Sequence, residues 1–219
     1  MPEPKGASPE SAAILDALEG YITELHSEWK TLLELFAAGQ QTSKLLNDTA
    51  GALFDTLYRV LMRDILLGVA RLTDPLKTAG KDNLVLERVM QLPEIAADTE
   101  LATAAAEGLA EIKSLAERFR DYRNKYLAHL DLPTSLAPSG DVLPGIKRED
   151  VEAVLAAFAK LFNRVDGPLR DRYVLFKNVA IIGGPKNLIK AFEDSQMWRS
   201  VPRSERIRIV GGLQKKRDG

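Results

Sequence analysis

Residues 99–133 read TELATAAAEGLAEIKSLAERFRDYRNKYLAHLDLP. Within them Leu101, Ala105, Gly108, Ile112, Leu115, Phe119, Tyr122, Tyr126 and His129 recur at alternating gaps of four and three. That repeat is one buried stripe along a helix. Asp98 or Thr99 opens the helix and Pro133 closes it, because proline lacks the N–H the next turn requires. A long helix with one apolar seam has to be covered by other helices, and the sequence on either side supplies them.

Upstream, Ser8-Pro9-Glu10 is a helix start: a Ser cap, a proline at the first helical position, and an acid in the first turn. Leu15, Leu18, Ile22, Leu25, Trp29, Leu32 and Phe36 then form a second seam, ended at Gly39. A further helix runs from Thr42 or Ser43 to Leu72, with Leu46, Leu53, Phe54, Leu57, Leu61, Ile65, Gly68 and Leu72 on its apolar face. Asp74-Pro75 stops it, since the residue before proline is pushed out of helical geometry. A loop from Leu76 to Asp82 and a short helix from Leu84 to Leu92, terminated by Pro93, complete this half.

Downstream, residues 133–148 carry three prolines and two glycines and read as a long surface loop. Val151, Val154, Leu155, Phe158, Leu161, Phe162 and Val165 define a helix from Arg148 to Val165, broken at Gly167-Pro168. Residues 173–182 fit a strand or a helix equally well, and Pro185 to Glu193 fits a short helix. The expected architecture is all-α: an up-and-down bundle of about five main helices over residues 1–198. Residues 199–219 form a basic C-terminal extension, expected to be solvated and partly disordered, with contact to a nucleic-acid backbone as the alternative.

Composition narrows the chemistry. The 219 residues hold no cysteine, two histidines, 30 Lys+Arg and 31 Asp+Glu. Disulfides, thiolate nucleophiles and Cys-ligated zinc are therefore excluded. Two histidines 103 positions apart do not suggest a metal site, and neither a metal nor another cofactor is expected. The near-zero net charge excludes a uniformly basic nucleic-acid coat but not local patches. The first twenty residues lack a secretory pattern, and the apolar run Ile65–Ala70 is too short to span a bilayer, so a cytoplasmic protein without a membrane partner is expected. Phosphate-binding loops, dinucleotide fingerprints, the Ser-hydrolase elbow, the His-Glu-x-x-His zinc helix and Glu-x-x-His are all absent from the sequence.

What remains is the end of the 99–133 helix. Arg120, Arg123, Asn124, Lys125, Tyr126 and His129 crowd into its last turns. Arg123 and His129 are separated by about 9 Å of rise and about 120° around the axis, with Tyr126 between them. A two-fold axis along this helix would gather two arginines and two histidines around one cleft. Arginine offers a planar, permanently charged fork to phosphate oxygens, and histidine moves protons near neutral pH. This suits metal-independent RNA cleavage, with His129 as general base on the 2′-OH and Arg123 stabilising the charge at phosphorus. Simpler roles stand beside it: Arg123 pairing with an acid of a neighbouring helix, His129 packed in the core, and Tyr122 and Tyr126 as core or interface residues. Asn124 orients its neighbours or caps a kink. Asp74 reads as a helix-stop or turn residue rather than a catalytic one, and His26 as a surface residue.

The stretch Arg123-Asn124-Lys125-Tyr126-Leu127-Ala128-His129 resembles the arginine, polar residue, spaced histidine signature of the HEPN superfamily. The wording RNKYLAHLD is similar to the branch related to abortive-infection proteins. Arg71-Leu72-Thr73-Asp74-Pro75 and Asp82-Asn83-Leu84-Val85-Leu86 resemble what that branch carries upstream. The resemblance covers about residues 10–192. It implies a helical bundle, a homodimer across the helix of residues 101–130, and in many members endoribonuclease activity in toxin–antitoxin or phage-defence systems. Other members have lost catalysis and bind a nucleotide or a protein partner. With no nucleotidyltransferase-like pattern in this chain, an antitoxin of that type would be a separate chain.

Overall fold

A computed structural model describes residues 6–124 and 145–209. Its main elements are α1 (Pro9–Phe36), α2 (Gln40–Leu72), β1 (Lys77–Thr78), β2 (Lys81–Asp82), α3 (Pro93–Ala96), α4 (Thr99–Tyr122), α5 (Arg148–Arg170) and α6 (Pro185–Ser200). The fold is all-α, and its only sheet among the described residues is the two-stranded hairpin β1–β2. Ala79 and Gly80, with φ of 50° and 77°, turn that hairpin, the left-handed pair a tight two-residue loop requires. No helix among the described residues is long and apolar enough to cross a membrane.

The chain divides into two compact units, residues 1–29 with 60–180 and residues 30–59 with 181–219. In the first unit α4 and α5 pack along their seams. Ala105, Gly108, Ile112, Ala116 and Phe119 are buried against Val151, Val154, Leu155, Phe158, Leu161 and Phe162. Gly108 sets the spacing, because a Cβ there would meet Leu161 Cδ1 at 3.1 Å. The N-terminal part of α1 contributes Leu15, Leu18, Ile22 and Leu25. Leu25 lies so close to Gly68 that an added Cβ would sit 2.4 Å from its Cδ2.

Caps follow the sequence at both ends of this unit's chain order. Ser8 Oγ accepts from the Ser11 N–H at 3.3 Å, and Asp98 accepts from the Leu101 N–H at 3.1 Å at the start of α4. Glu94 of α3 adds a tie to the start of α1. It accepts from the Ser8 N–H and the Ser11 hydroxyl, both at 2.7 Å. Burial opposes its charge, but these hydrogen bonds outweigh it and lower the Glu94 pKa to about 2.

The second unit holds the rest of α1 and α2 with α6. Leu35, Leu46 and Phe54 form its core, with Phe36, Ala50, Leu57 and Phe192 packed against them. Inside α2, Ala50 departs from helical geometry (φ −161°, ψ 57°), so the helix kinks there. Residues 203–209 of the basic tail are helical, while residues 210–219 lie outside the described residues.

Several expectations change. Leu53 is 64 % exposed rather than part of the apolar face. The expected helix at 84–92 is a 3-10 helix over Leu86–Gln91, and Pro93 opens α3 instead of ending its predecessor. Residues 173–182 are neither strand nor α-helix and hold only a 3-10 turn, Phe176–Asn178. Pro168 does not break α5, which continues to Arg170. Leu169 is buried and Arg170 is paired with Asp166 one turn back, and together they hold the last turn inward despite the missing N–H.

Glu28 of α1 is half-buried in a pocket of about 140 Å³ lined also by Tyr21, Glu24, Asp64 and Arg71. Burial, then the Asp64 carboxyl, then Glu24 push its pKa up to about 7 from an ordinary 4.5. The folded state thus holds a proton that the unfolded chain releases, so stability is lost as pH rises from about 4.5 through 7. Glu28→Gln keeps the shape without the charge. It is expected to raise the melting temperature at pH 8 and to leave it nearly unchanged at pH 4.5; equal shifts at both pH values would rule out the charge as the cause.

Candidate active site

The C-terminal end of α4 meets the C-terminal end of α2 in the first unit. Buried Phe119 anchors the last turn of α4, which places Arg120 and Arg123 near its end. The Arg123 N–H bonds the carbonyls of Phe119 and Arg120, and residues 123–124 form a wider, π-type turn. Across from them, Thr73 is buried and its hydroxyl donates to the carbonyls of Val69 and Ala70 at 3.0 and 3.1 Å. Asp74 follows directly, its N–H donating to the Arg71 carbonyl at 3.2 Å. Chain exit at Pro75 then leaves the Asp74 carboxylate facing α4.

Arg123 Nη1 donates to Asp74 Oδ1 at 2.5 Å. Its Nε and Nη2 both donate to Asn124 Oδ1 at 3.2 Å. Both members of the ion pair are 23 % exposed at the side chain. The guanidinium carries five N–H groups in a rigid plane. Three are engaged among the described residues, and one N–H on Nη1 and one on Nη2 bond no other described residue.

The structure brings together two of the residues singled out in the sequence, Arg123 and Asn124. Asn124 is exposed, and its Oδ1 accepts from the Arg123 guanidinium. Arg120 is half-buried one turn earlier. Lys125, Tyr126 and His129 lie outside the described residues. Asp74, read as a helix-stop or turn residue, is the acid that holds Arg123. The two are 49 positions apart, and the sequence signal available was the position of Asp74 in the stretch Arg71–Pro75. Among the described residues no cluster of His, Asp and Glu could hold a metal ion.

His26 is not a surface residue. It is 6 % exposed, stacks on Phe176 with ring centres 5.6 Å apart, and sets Nε2 3.3 Å from the Leu155 carbonyl. Burial lowers its pKa, the hydrogen bond to Leu155 works the other way, and the charge of Lys177 lowers it further. A buried, neutral histidine packed between α1 and α5 has no access to substrate.

No curated protein and no solved structure matches the chain. A family model described as AbiU2, of HEPN type, matches residues 9–173, a span that includes α1 to α5, Asp74 and Arg123. The chain accordingly belongs to the HEPN superfamily, in its abortive-infection-like AbiU2 branch.

Proposed function

We propose that this protein is a metal-independent endoribonuclease whose site is built on Arg123 and His129, acting as a toxin or abortive-infection component. The observation that carries the reading is the Arg123 fork, positioned by Asp74 and Asn124, with two N–H groups that bond no other described residue. In the reaction His129 takes the 2′-OH proton as that oxygen attacks phosphorus, and Arg123 donates to the oxygens on which negative charge builds. The bond from phosphorus to the 5′-oxygen then breaks, and the leaving oxygen takes a proton from water, leaving a 2′,3′-cyclic phosphate and a free 5′-hydroxyl. Lys125 and Arg120 supply positive charge toward the strand, and Tyr126 supports the cleft. Two copies paired along the helix of residues 101–130 would place two such sets in one groove, with any antitoxin a separate chain.

Purified wild-type protein is expected to cut single-stranded RNA in the presence of EDTA and to leave cyclic phosphate ends. A requirement for a divalent cation, or no cleavage of any RNA, would sink this reading. The same Arg123–Asp74 pair also fits a second one, a non-catalytic helical dimer in which the pair only ties α4 to α2 and the dimer face binds a nucleotide or a protein. That reading expects no cleavage by wild type and a lowered melting temperature on loss of either partner.

A further inference from the structure

A groove of about 560 Å³ lies in the first unit between α5 and residues 173–178, within the size range of ligand sites. Among the described residues three cations line it, Lys160, Arg164 and Lys177, and no carboxylate does. Tyr173 and Leu175 at its rim are 71 % and 62 % exposed. Its floor is rigid. Asn163 of α5 accepts from the Val174 N–H at 2.7 Å and donates to the Val174 carbonyl at 3.0 Å. Phe176 plugs the core against Phe162, ring centres 5.4 Å apart. The wall that carries Tyr173 and Lys177 is thus preorganised on α5.

The groove is separate from Arg123. Lys160 pairs with Glu111 of α4 at 2.9 Å, and Glu111 precedes Arg123 by twelve residues, roughly 18 Å of helix axis. Arg164 approaches Glu107 at 3.9 Å. Both pairs are exposed, the kind weak enough for a phosphate to displace. Lys177 is exposed and makes no ion pair among the described residues. A ligand complementary to this surface carries negative charge for the cations and a planar ring for the open face of Tyr173. We propose that the groove binds a nucleotide, free or as one unit of a single strand, with phosphate at Lys177, Lys160 and Arg164 and the base stacked on Tyr173. This does not rest on the assignment of Arg123 as catalytic.

The test uses the full chain carrying Arg123→Ala, so that any binding at that end is weakened, and a 2′-O-methylated strand, which has no free 2′-OH and cannot be cut by 2′-OH attack. A fluorescein-labelled 2′-O-methyl octauridylate is followed by anisotropy, and AMP by calorimetry. Binding of the octamer is expected to weaken as salt rises. Lys177→Glu is expected to lower affinity at least tenfold and Tyr173→Ala at least fivefold, with Tyr173→Phe restoring it and all melting temperatures unchanged. AMP binding that is lost in the same variants identifies a free nucleotide as ligand, whereas binding of the octamer alone identifies a strand. Affinity for the octamer equal to that of the Arg123→Ala parent in both Lys177→Glu and Tyr173→Ala, or no binding of either probe, overturns the proposal. Failure of wild type to cleave RNA leaves it standing.

Discussion

Arg123→Ala is expected to lower RNA cleavage by about a hundredfold or more, the usual effect of losing one preorganised donor at a developing oxyanion. Folding should survive, because the Arg123–Asp74 pair is only half-buried and no core side chain is lost. Arg123→Lys separates charge from geometry. Lysine keeps the cation but cannot hold Asp74, Asn124 and a phosphate with one planar group, so it should recover no more than a small part of the rate. His129→Ala should match Arg123→Ala. Asp74→Ala leaves both groups that meet the RNA in place and frees the guanidinium to swing. A loss of about tenfold, smaller than for Arg123→Ala and carried mostly by kcat, is expected from a positioning residue. Near-wild-type cleavage by Arg123→Ala, with the variant folded, would remove Arg123 from the site and with it the proposed mechanism.

Asp74 also shows where reading a sequence stops. The α4 seam was legible because periodicity records burial along one helix: Ala105, Gly108, Ile112 and Phe119 recur at helical spacing and all four are buried. An ion pair between two helices leaves no such periodic mark. Nothing in the wording around Asp74 reports that α2 ends beside the end of α4, so its turn chemistry was visible and its partner was not. His26 is hidden for a related reason. Glu24 and Glu28 flank it on a charged stretch, yet one ring edge finds a backbone carbonyl and the ring face finds Phe176, contacts set by tertiary packing. Residues 173–178 read ambiguously because what holds them is side-chain bonding from Asn163 rather than a ladder or a helix of their own.

The buried acid Asp166 is where the largest loss of stability is expected. It is fully buried, and its two oxygens accept from Arg170 Nε at 2.5 Å and Arg172 Nε at 2.7 Å. Those arginines also reach Asp16 and Glu19 of α1, so one carboxylate fastens the end of α5 to the segment that follows it and, through both guanidinium groups, to α1. Between the two arginines Asp171 takes a left-handed conformation, φ 49°, which lets the chain reverse and bring Arg172 back to the same acid. Asp166→Ala would leave Arg170 and Arg172 without the fully buried acid they share, but both are partly exposed and keep Asp16 and Glu19 as partners, which puts the cost at the low end for breaking a buried pair, about 3 kcal/mol. For a chain of this size that corresponds to a fall in melting temperature of roughly 6–12 °C. Asp16→Ala provides the contrast. It removes a carboxylate from the same Arg170 at the same 2.5 Å, but Asp16 is 66 % exposed at the side chain, and pairs of that kind contribute about 0–1 kcal/mol. Distance alone would make the two substitutions equivalent, whereas burial makes them differ severalfold. Thermal denaturation of both variants at pH 7 decides it: equal shifts would mean that Asp166 is no more than another surface partner and that the α5 turn is held by Leu169 packing instead. A large shift for Asp166→Ala alone should come with loss of order in residues 171–178, seen as faster amide exchange there, because Arg172 is the first tie of that segment to α5 and the Asn163–Val174 bonds depend on its register.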